Sequence, residues 1–269
     1  MKIAWISDFK SYGGGEDSQN ILLKNKPDDL DIDLIYGGNL TKDYDLYVVN
    51  SFRTLSRLQM QFLMTQEYIV AWRDIIDTVH DNLLYDFYLN AKMNIFLSPL
   101  HKDEFVKKFN IIDASIVTNK WICIAPYFDI SQHESLHKRP HDILWCGDIQ
   151  NHKGIEEVLV WAREHNKVID FYGKGHPTII GQLEESKYAN YMGHVDKIKY
   201  IYPQYKNFIH FSDKIETFGR SCMEAYLSGC NMIVNKEKIG MYSYDRFPGG
   251  NMQKWFDEHL ERFWKIVKM

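Results

Sequence analysis

The chain has 269 residues, is 45% hydrophobic, and carries a formal charge of -4 with a pI near 6.3; that is enough apolar material for one large core or two small ones. The slightly acidic balance excludes nucleic acid as a main partner, and no stretch reaches membrane-spanning length. Met1 to Asp8 holds only a short apolar run and does not read as a secretory signal, and Cys123, Cys146, Cys222 and Cys230 stand at unrelated spacings within apolar runs, so buried free thiols and a cytoplasmic location are expected.

Lys2 to Ser7 reads as a first buried strand. Gly13-Gly14-Gly15-Glu16 then opens a helix through Leu23. The loop has a phosphate-binding shape, although three glycines also make an ordinary flexible turn, and the Gly-x-Gly-x-x-Gly spacing of a dinucleotide site is missing. Strands follow at Asp31 to Tyr36 and Asp45 to Asn50. Asp31-x-Asp33 and Asp43-x-Asp45 have a spacing suited to a divalent metal. Aspartates alternating with apolar residues at strand entries are the wet face of a strand, so no metal site is expected.

Arg57 to Gln66 has helical spacing. Tyr68 to Trp72 is a strand that delivers Arg73 and Asp74 to its carboxyl end, with His80-Asp81 shortly after. A strand at Asn94 to Ser98, a charged helix near Lys102 to Lys108 and a strand through Ile122 to Asp129 complete the first half. Residues 131–141 are polar, aperiodic and contain Pro140, which marks a linker. Beyond it the pattern restarts: strand Ile143 to Cys146, loop Gly147 to Gly154, helix Ile155 to His165, and strand Val168 to Tyr172. Later come a short strand at Tyr191 to Val195 and a strand at Phe208 to Ser212. A helix with Phe218, Cys222, Ala225 and Tyr226 on one face is closed by Gly229, and Asn231 to Asn235 is a last strand. Asn251 to Lys268 is an amphipathic helix with an aromatic stripe that includes Trp255, Phe256, Phe263 and Trp264. Strand and helix alternation in both halves predicts an α/β protein of two doubly wound, Rossmann-like domains facing a cleft. The expected boundaries are 1–130 for the N-terminal acceptor-side domain, 131–141 for the linker and 142–250 for the nucleotide-sugar domain, with the helix in 251–269 packing back on the first domain.

In open parallel sheets, ligands collect at the carboxyl ends of the strands. Here that is the loop Asp213 to Thr217 and the helix turn after it, which presents backbone amides and contains Gly219. Glu216 precedes that helix and Glu224 lies within it. The run Glu216-Thr217-Phe218-Gly219 through Glu224-Ala225, followed by Ser228-Gly229, resembles the Glu-x7-Glu signature of retaining GT-B glycosyltransferases of family 4. The resemblance extends in weaker, order-preserving pieces over most of the chain.

It implies a GT-B fold and transfer of a hexose from a nucleoside diphosphate sugar, with UDP or GDP as carrier, to an acceptor hydroxyl with retention. No cofactor and no metal are implied. Glu224 would hold the ribose, while Glu216 and the amides of Thr217, Phe218 and Gly219 would hold the sugar. Gly14 and Gly15 would approach the donor's diphosphate, and Gly193 and Val195 would flank the base. Gly147 and Lys153 belong to a loop similar to the family's Gly-Arg-x4-Lys-Gly, with Lys153 neutralising the leaving diphosphate. Asp148 replaces the arginine, so half of that cationic clamp is missing. On the acceptor side Arg73 and Asp74 occupy the strand end where the family often carries a histidine, and they are preferred to His80 as catalytic residues. A catalytically inactive nucleotide-sugar-binding module and a sugar-nucleotide epimerase on the same fold are the alternatives.

Overall fold

The computed structural model describes residues 1–7, 14–53, 55–74, 82–108, 120–133, 135–245, 247 and 250–269. Gly13, His80 and Asp81 lie outside the described residues. Strands and helices alternate into two compact units, one of Met1–Phe128 with Ser243–Met269 and the other of Asp129–Tyr242.

The first unit carries a six-stranded sheet of β1 (Lys2–Ile6), β2 (Asp31–Ile35), β3 (Leu46–Val49), β4 (Tyr68–Ala71), β5 (Met93–Phe96) and β6 (Trp121–Cys123). All pairings are parallel and the spatial order is β2-β1-β3-β4-β5-β6. Successive side chains alternate between the faces, which explains the near-continuous apolar runs of a sheet covered on both sides. Ala4, Ile6, Tyr47, Val49, Tyr68 and Val70 share a cluster with side chains of α2 (Arg57–Leu63), α3 (Asn82–Asn90) and α4 (Pro99–Lys108). Its centre is aromatic, with Trp72 and Phe105 at 4.5 Å and Tyr68 stacked on Phe87 at 4.7 Å. Ile3, Trp5, Leu46, Val48, Ile69 and Ala71 face the other way. There they meet Leu22 of α1 (Gly14–Lys24) and Phe263, Trp264, Ile266 and Val267 of the C-terminal helix, α8 (Met252–Val267). The α8 helix starts at an Asn251 cap that accepts the Lys254 amide at 3.1 Å, and its Phe263 ring lies 5.9 Å from Trp5.

Two buried histidines lie in this unit. His101 accepts the Leu97 amide on Nδ1 at 3.3 Å and places Nε2 3.1 Å from the Asp74 carbonyl, while His259 accepts the Ala125 amide at 3.2 Å. Burial pushes both imidazoles down to about 4, with the positive charge of Arg73 adding to it at His101 and that of Arg262 at His259. Both folded values lie below the ordinary 6.5. Their stabilising contribution is therefore complete above that pH and is lost as pH falls toward about 4. Unfolding this unit near pH 5.5 is expected to take up about two protons from these side chains, read as the slope of unfolding free energy against pH in urea titrations. A flat slope there would mean that the histidines are already charged in the fold.

The second unit holds β7 (His141–Cys146), β8 (Ile169–Tyr172), β9 (Ala189–Gly193), β10 (Tyr205–His210) and β11 (Asn231–Val234), again all parallel, in the order β11-β10-β7-β8-β9. Ile143, Trp145, Ile169, Phe171 and Ile209 pack with Ile155, Val158 and Ala162 of α5 (Ile155–Glu164) and with Ile179 and Leu183 of α6 (Pro177–Glu185). β10 begins three residues earlier than its apolar core suggests, since Tyr205 pairs with His141 of β7. β9 stops at Gly193, where φ of 81° turns the chain, so Val195 lies beyond the strand. The four cysteines are free thiols, with Cys222 and Cys230 buried but Cys123 and Cys146 only partly covered. No helix among the described residues is long and apolar enough to cross a membrane.

Candidate functional site

In the second sheet β8 and β9 extend to one side of β7, and the chain then returns to place β10 on its other side. The direction of winding therefore reverses between β7 and β10. In open parallel sheets such a reversal, at the carboxyl ends of the strands, is where ligands bind. The loop after β7 carries Lys153 and the loop after β10 carries Glu216.

Lys153 ends a single 3-10 turn, Asn151–Lys153, and Gly154 follows with φ of 64°. An added Cβ at Gly154 would overlap the carbonyl oxygen of Phe211, just past β10. The bare glycine thus lets the two loops touch backbone to backbone. On the other side, Glu216 donates its amide to the Lys238 carbonyl at 2.9 Å and accepts the Gly240 amide at 3.0 Å. With both backbones held, Lys153 Nζ reaches Glu216 Oε1 at 2.6 Å, and His210 Nε2, at the end of β10, stands 3.5 Å from the same oxygen.

Burial opposes charge on Glu216. The His210 imidazole and the Lys153 ammonium outweigh it and hold the carboxyl down at about 2. Oε2 has no protein partner among the described residues. The result is an ionised carboxylate, with a side-chain exposure of 19%, whose free oxygen can accept a hydroxyl.

The helix α7 (Arg220–Leu227) begins later than the sequence pattern indicates, so Phe218 precedes its first turn. The Phe218 side chain is buried, and only its backbone is available to a ligand. Gly219 occupies the cap with φ of 87° and, having no side chain, contributes no capping oxygen. A Cβ at Gly219 would lie 2.6 Å from Ile239 Cγ2, so the position tolerates only glycine. One turn into the helix, Glu224 accepts from Arg220 at 2.9 Å with both side chains largely buried.

Thr217 continues directly from Glu216, whereas Gly147 sits at the start of the β7 loop and donates its amide to Tyr172 at 3.1 Å. Gly193 and Val195 are at the carboxyl end of β9, the sheet's edge strand. Lys153 and Glu216, which the sequence reading assigned to separate parts of a ligand, are paired with each other. Asp148 is exposed, and the nearby cation of α7, Arg220, is engaged by Glu224.

The first unit has its own winding reversal, between β1 and β3. Arg73 donates from Nε at 3.0 Å and from a terminal nitrogen at 2.6 Å to Asn50 Oδ1, at the end of β3. Asn50 donates to Gln19 Oε1 at 3.2 Å, the oxygen that also accepts Trp5 Nε1 at 3.1 Å. This buried relay ties Arg73 to α1, the helix that Gly14 and Gly15 open. Asp74 turns elsewhere, to Arg53 at 3.2 Å, with both side chains about half exposed. A pair so open to water contributes little. Asp33 accepts Tyr44 at 3.0 Å and has Lys2 at 3.6 Å. Among the described residues no three His, Cys, Asp or Glu side chains gather as a metal site.

Asn50, Gln19, His101 and His210 were not singled out from sequence. The one available signal is His210, a polar residue inside the apolar run Phe208-Ile209-His210-Phe211.

No protein-family model matches the chain, and no curated protein matches it in sequence. Its fold is nevertheless that of GT-B proteins. The structure of Anabaena HepE in complex with UDP-glucose superposes with a TM-score of 0.67 at 15% identity, covering 100% of this chain and 91% of that one. The lipopolysaccharide outer core galactosyltransferase WaaB gives 0.60 at 10% identity, with 100% and 90% covered. The pneumococcal O-GlcNAc transferase GtfA, in complex with UDP and GlcNAc, gives 0.58 at 15% identity, with 96% and 54% covered.

Proposed function

We propose that this protein transfers a hexosyl group from a UDP-sugar to an acceptor hydroxyl, with retention of anomeric configuration and without a metal. The observation that carries the reading is the meeting of Lys153 and Glu216 at the winding reversal of the second sheet, beside the first turn of α7. Helix amides and an ammonium suit a diphosphate, and an ionised carboxylate with a free oxygen suits sugar hydroxyls. UDP is favoured as carrier because the HepE and GtfA structures hold it. Lys153 would shift from Glu216 toward the diphosphate as the donor binds and stabilise the negative charge that builds during departure. Glu224 would bind the ribose, and Arg73 and Asp74 are the acceptor-side candidates. The carrier, the retention and the residue roles are proposals drawn from this geometry together with the Glu-x7-Glu resemblance.

One observation favours a second reading. With Asp148 in place of an arginine and Lys153 engaged by Glu216, the cationic complement is small, as in a module that binds a nucleotide sugar without transferring it. Incubating purified protein with radiolabelled UDP-glucose separates the two readings: transfer or slow hydrolysis supports the enzyme, and binding without turnover supports the module.

Calorimetry tests the division of labour between the glutamates. Glu224→Ala is expected to weaken UDP binding by roughly 1.5–3 kcal/mol, the cost of a lost charge-assisted hydrogen bond, whereas Glu216→Ala should spare free UDP. Equal losses in the two variants would refute the assignment.

A further inference from the structure

His210 is a costly residue for its position. Its side chain is 3% exposed, and the ring centroids of Trp145 and Phe208 each lie 6.3 Å from its own. Neither ring nitrogen meets hydrogen-bond geometry with any described residue. A buried polar group left in that state is destabilising, and a valine or phenylalanine would fill the strand more favourably. Among the described residues His210 makes an ion-pair contact with Glu216, whose Oε1 lies 3.5 Å from Nε2. That oxygen is also the one held by Lys153 at 2.6 Å.

The two groups beside this oxygen have different freedom. Lys153 sits at the tip of a short loop turn on a flexible stem with its side chain 24% exposed, and it can swing away. His210 is buried within the sheet on a short side chain and has far less room to move.

We infer that His210 is a positioning residue that holds Glu216 Oε1 in place, with Oε2 presented to the sugar, when Lys153 leaves to meet the donor's diphosphate. The inference rests on the proposed transfer only for the reason that Lys153 departs; the grip of His210 on Glu216 is a property of the protein itself. In the resting protein the histidine is the lesser partner. Its contribution becomes decisive once the ammonium is gone. The titratable groups around Glu216 are Lys153 on the β7 loop, His210 on β10 and Cys222 on α7, and burial pushes the Cys222 thiol well above its ordinary value, so it stays neutral.

The test removes the lysine first. Carbon-13 NMR of labelled glutamate, with the Glu216 signal assigned by its loss in Glu216→Gln, reads the carboxyl titration in Lys153→Ala and in Lys153→Ala with His210→Phe. Phenylalanine keeps a ring near Trp145 and Phe208 and removes the nitrogens. In the lysine variant Glu216 is expected to titrate below its ordinary 4.5, and the added His210→Phe is expected to raise it by about one unit or more. Identical titrations in the two variants would overturn the inference, whether or not the protein transfers sugar.

Kinetics supply the second arm. With Lys153 intact, His210→Phe should lower kcat for UDP-glucose by about 10-fold or more while KM stays within about 2-fold, as expected when a reacting group is misplaced. His210→Gln, which restores an N–H donor, should recover most of the loss. A role in packing alone predicts no rescue by glutamine and unchanged kcat in the phenylalanine variant. If the wild-type protein turns over no donor, the transfer reading fails, and the Glu216 titration still decides the role of His210.

Discussion

Lys153→Ala is expected to reduce sugar transfer by about 10²–10³-fold, because a preorganised charge at the point where negative charge develops is among the largest catalytic terms. The variant has a second, separable consequence. Glu216 is held ionised at about 2 against its burial by His210 and Lys153. Its folded value lies below the ordinary 4.5, so its stabilising contribution is complete above that pH and is lost as pH falls through about 2. Removing the ammonium narrows that window from below, and the variant should lose stability at a higher pH than the wild type on acidification. Transfer by the wild-type protein should persist in EDTA. Two outcomes would refute the scheme: near-normal turnover in Lys153→Ala, or activity abolished by chelation and restored by Mn²⁺, which would turn attention back to Asp31 and Asp33.

The second large effect is on the fold. Gly154→Ala should destabilise the second unit by about 3–5 kcal/mol, since the position combines a left-handed backbone with direct overlap between a new Cβ and a main-chain oxygen. The φ is 64° and the overlapping atom is the Phe211 carbonyl, which belongs to the backbone leaving β10 and cannot rotate aside. Relief would require the two loops to separate, pulling Lys153 away from Glu216, so binding of UDP should suffer together with stability. Gly181→Ala is the matched control. It sits inside α6, where an added Cβ meets nothing within 4 Å, and it should stabilise by about 0.5–1 kcal/mol through helix propensity. Urea midpoints of the two variants decide it: a Gly154→Ala protein within about 1 kcal/mol of wild type would mean that the loops are not locked as described.

Much of the architecture is written locally. Runs such as Leu46-Tyr-Val-Val49 and Tyr68-Ile-Val-Ala71 are apolar on both sides because both faces of their sheet are covered. Their alternation with helical spacing is enough to define a parallel α/β protein, and the α/β class with two parallel sheets is the one observed. Element ends are less legible. The start of α7 is displaced because Phe218 belongs to the core beneath the loop and its carbonyl accepts the Met241 amide at 2.9 Å. That long-range contact leaves no periodic trace.

Which strands are neighbours is not written locally at all, and the site depends on it. Lys153 and Glu216 are 63 residues apart and meet only because β10 returns to the side of β7 opposite β8. From sequence each was matched to a ligand, since a charged loop residue can be assigned a partner only when its spatial neighbours are known. The same holds for Arg73. Its place at a strand end is readable, but its engagement by Asn50, and through Gln19 by Trp5, comes from the adjacency of β4, β3 and β1. His101 and His210 are the extreme case. Neither the charged helix around His101 nor the apolar run around His210 tells what the ring nitrogens face until packing does. Sequence by itself determined the class of fold and marked Lys153 and Glu216 as charged groups in strand-end loops. Tertiary structure decided which of them share an oxygen, because strand order and the approach of two loops are set by long-range packing energies that no local pattern contains.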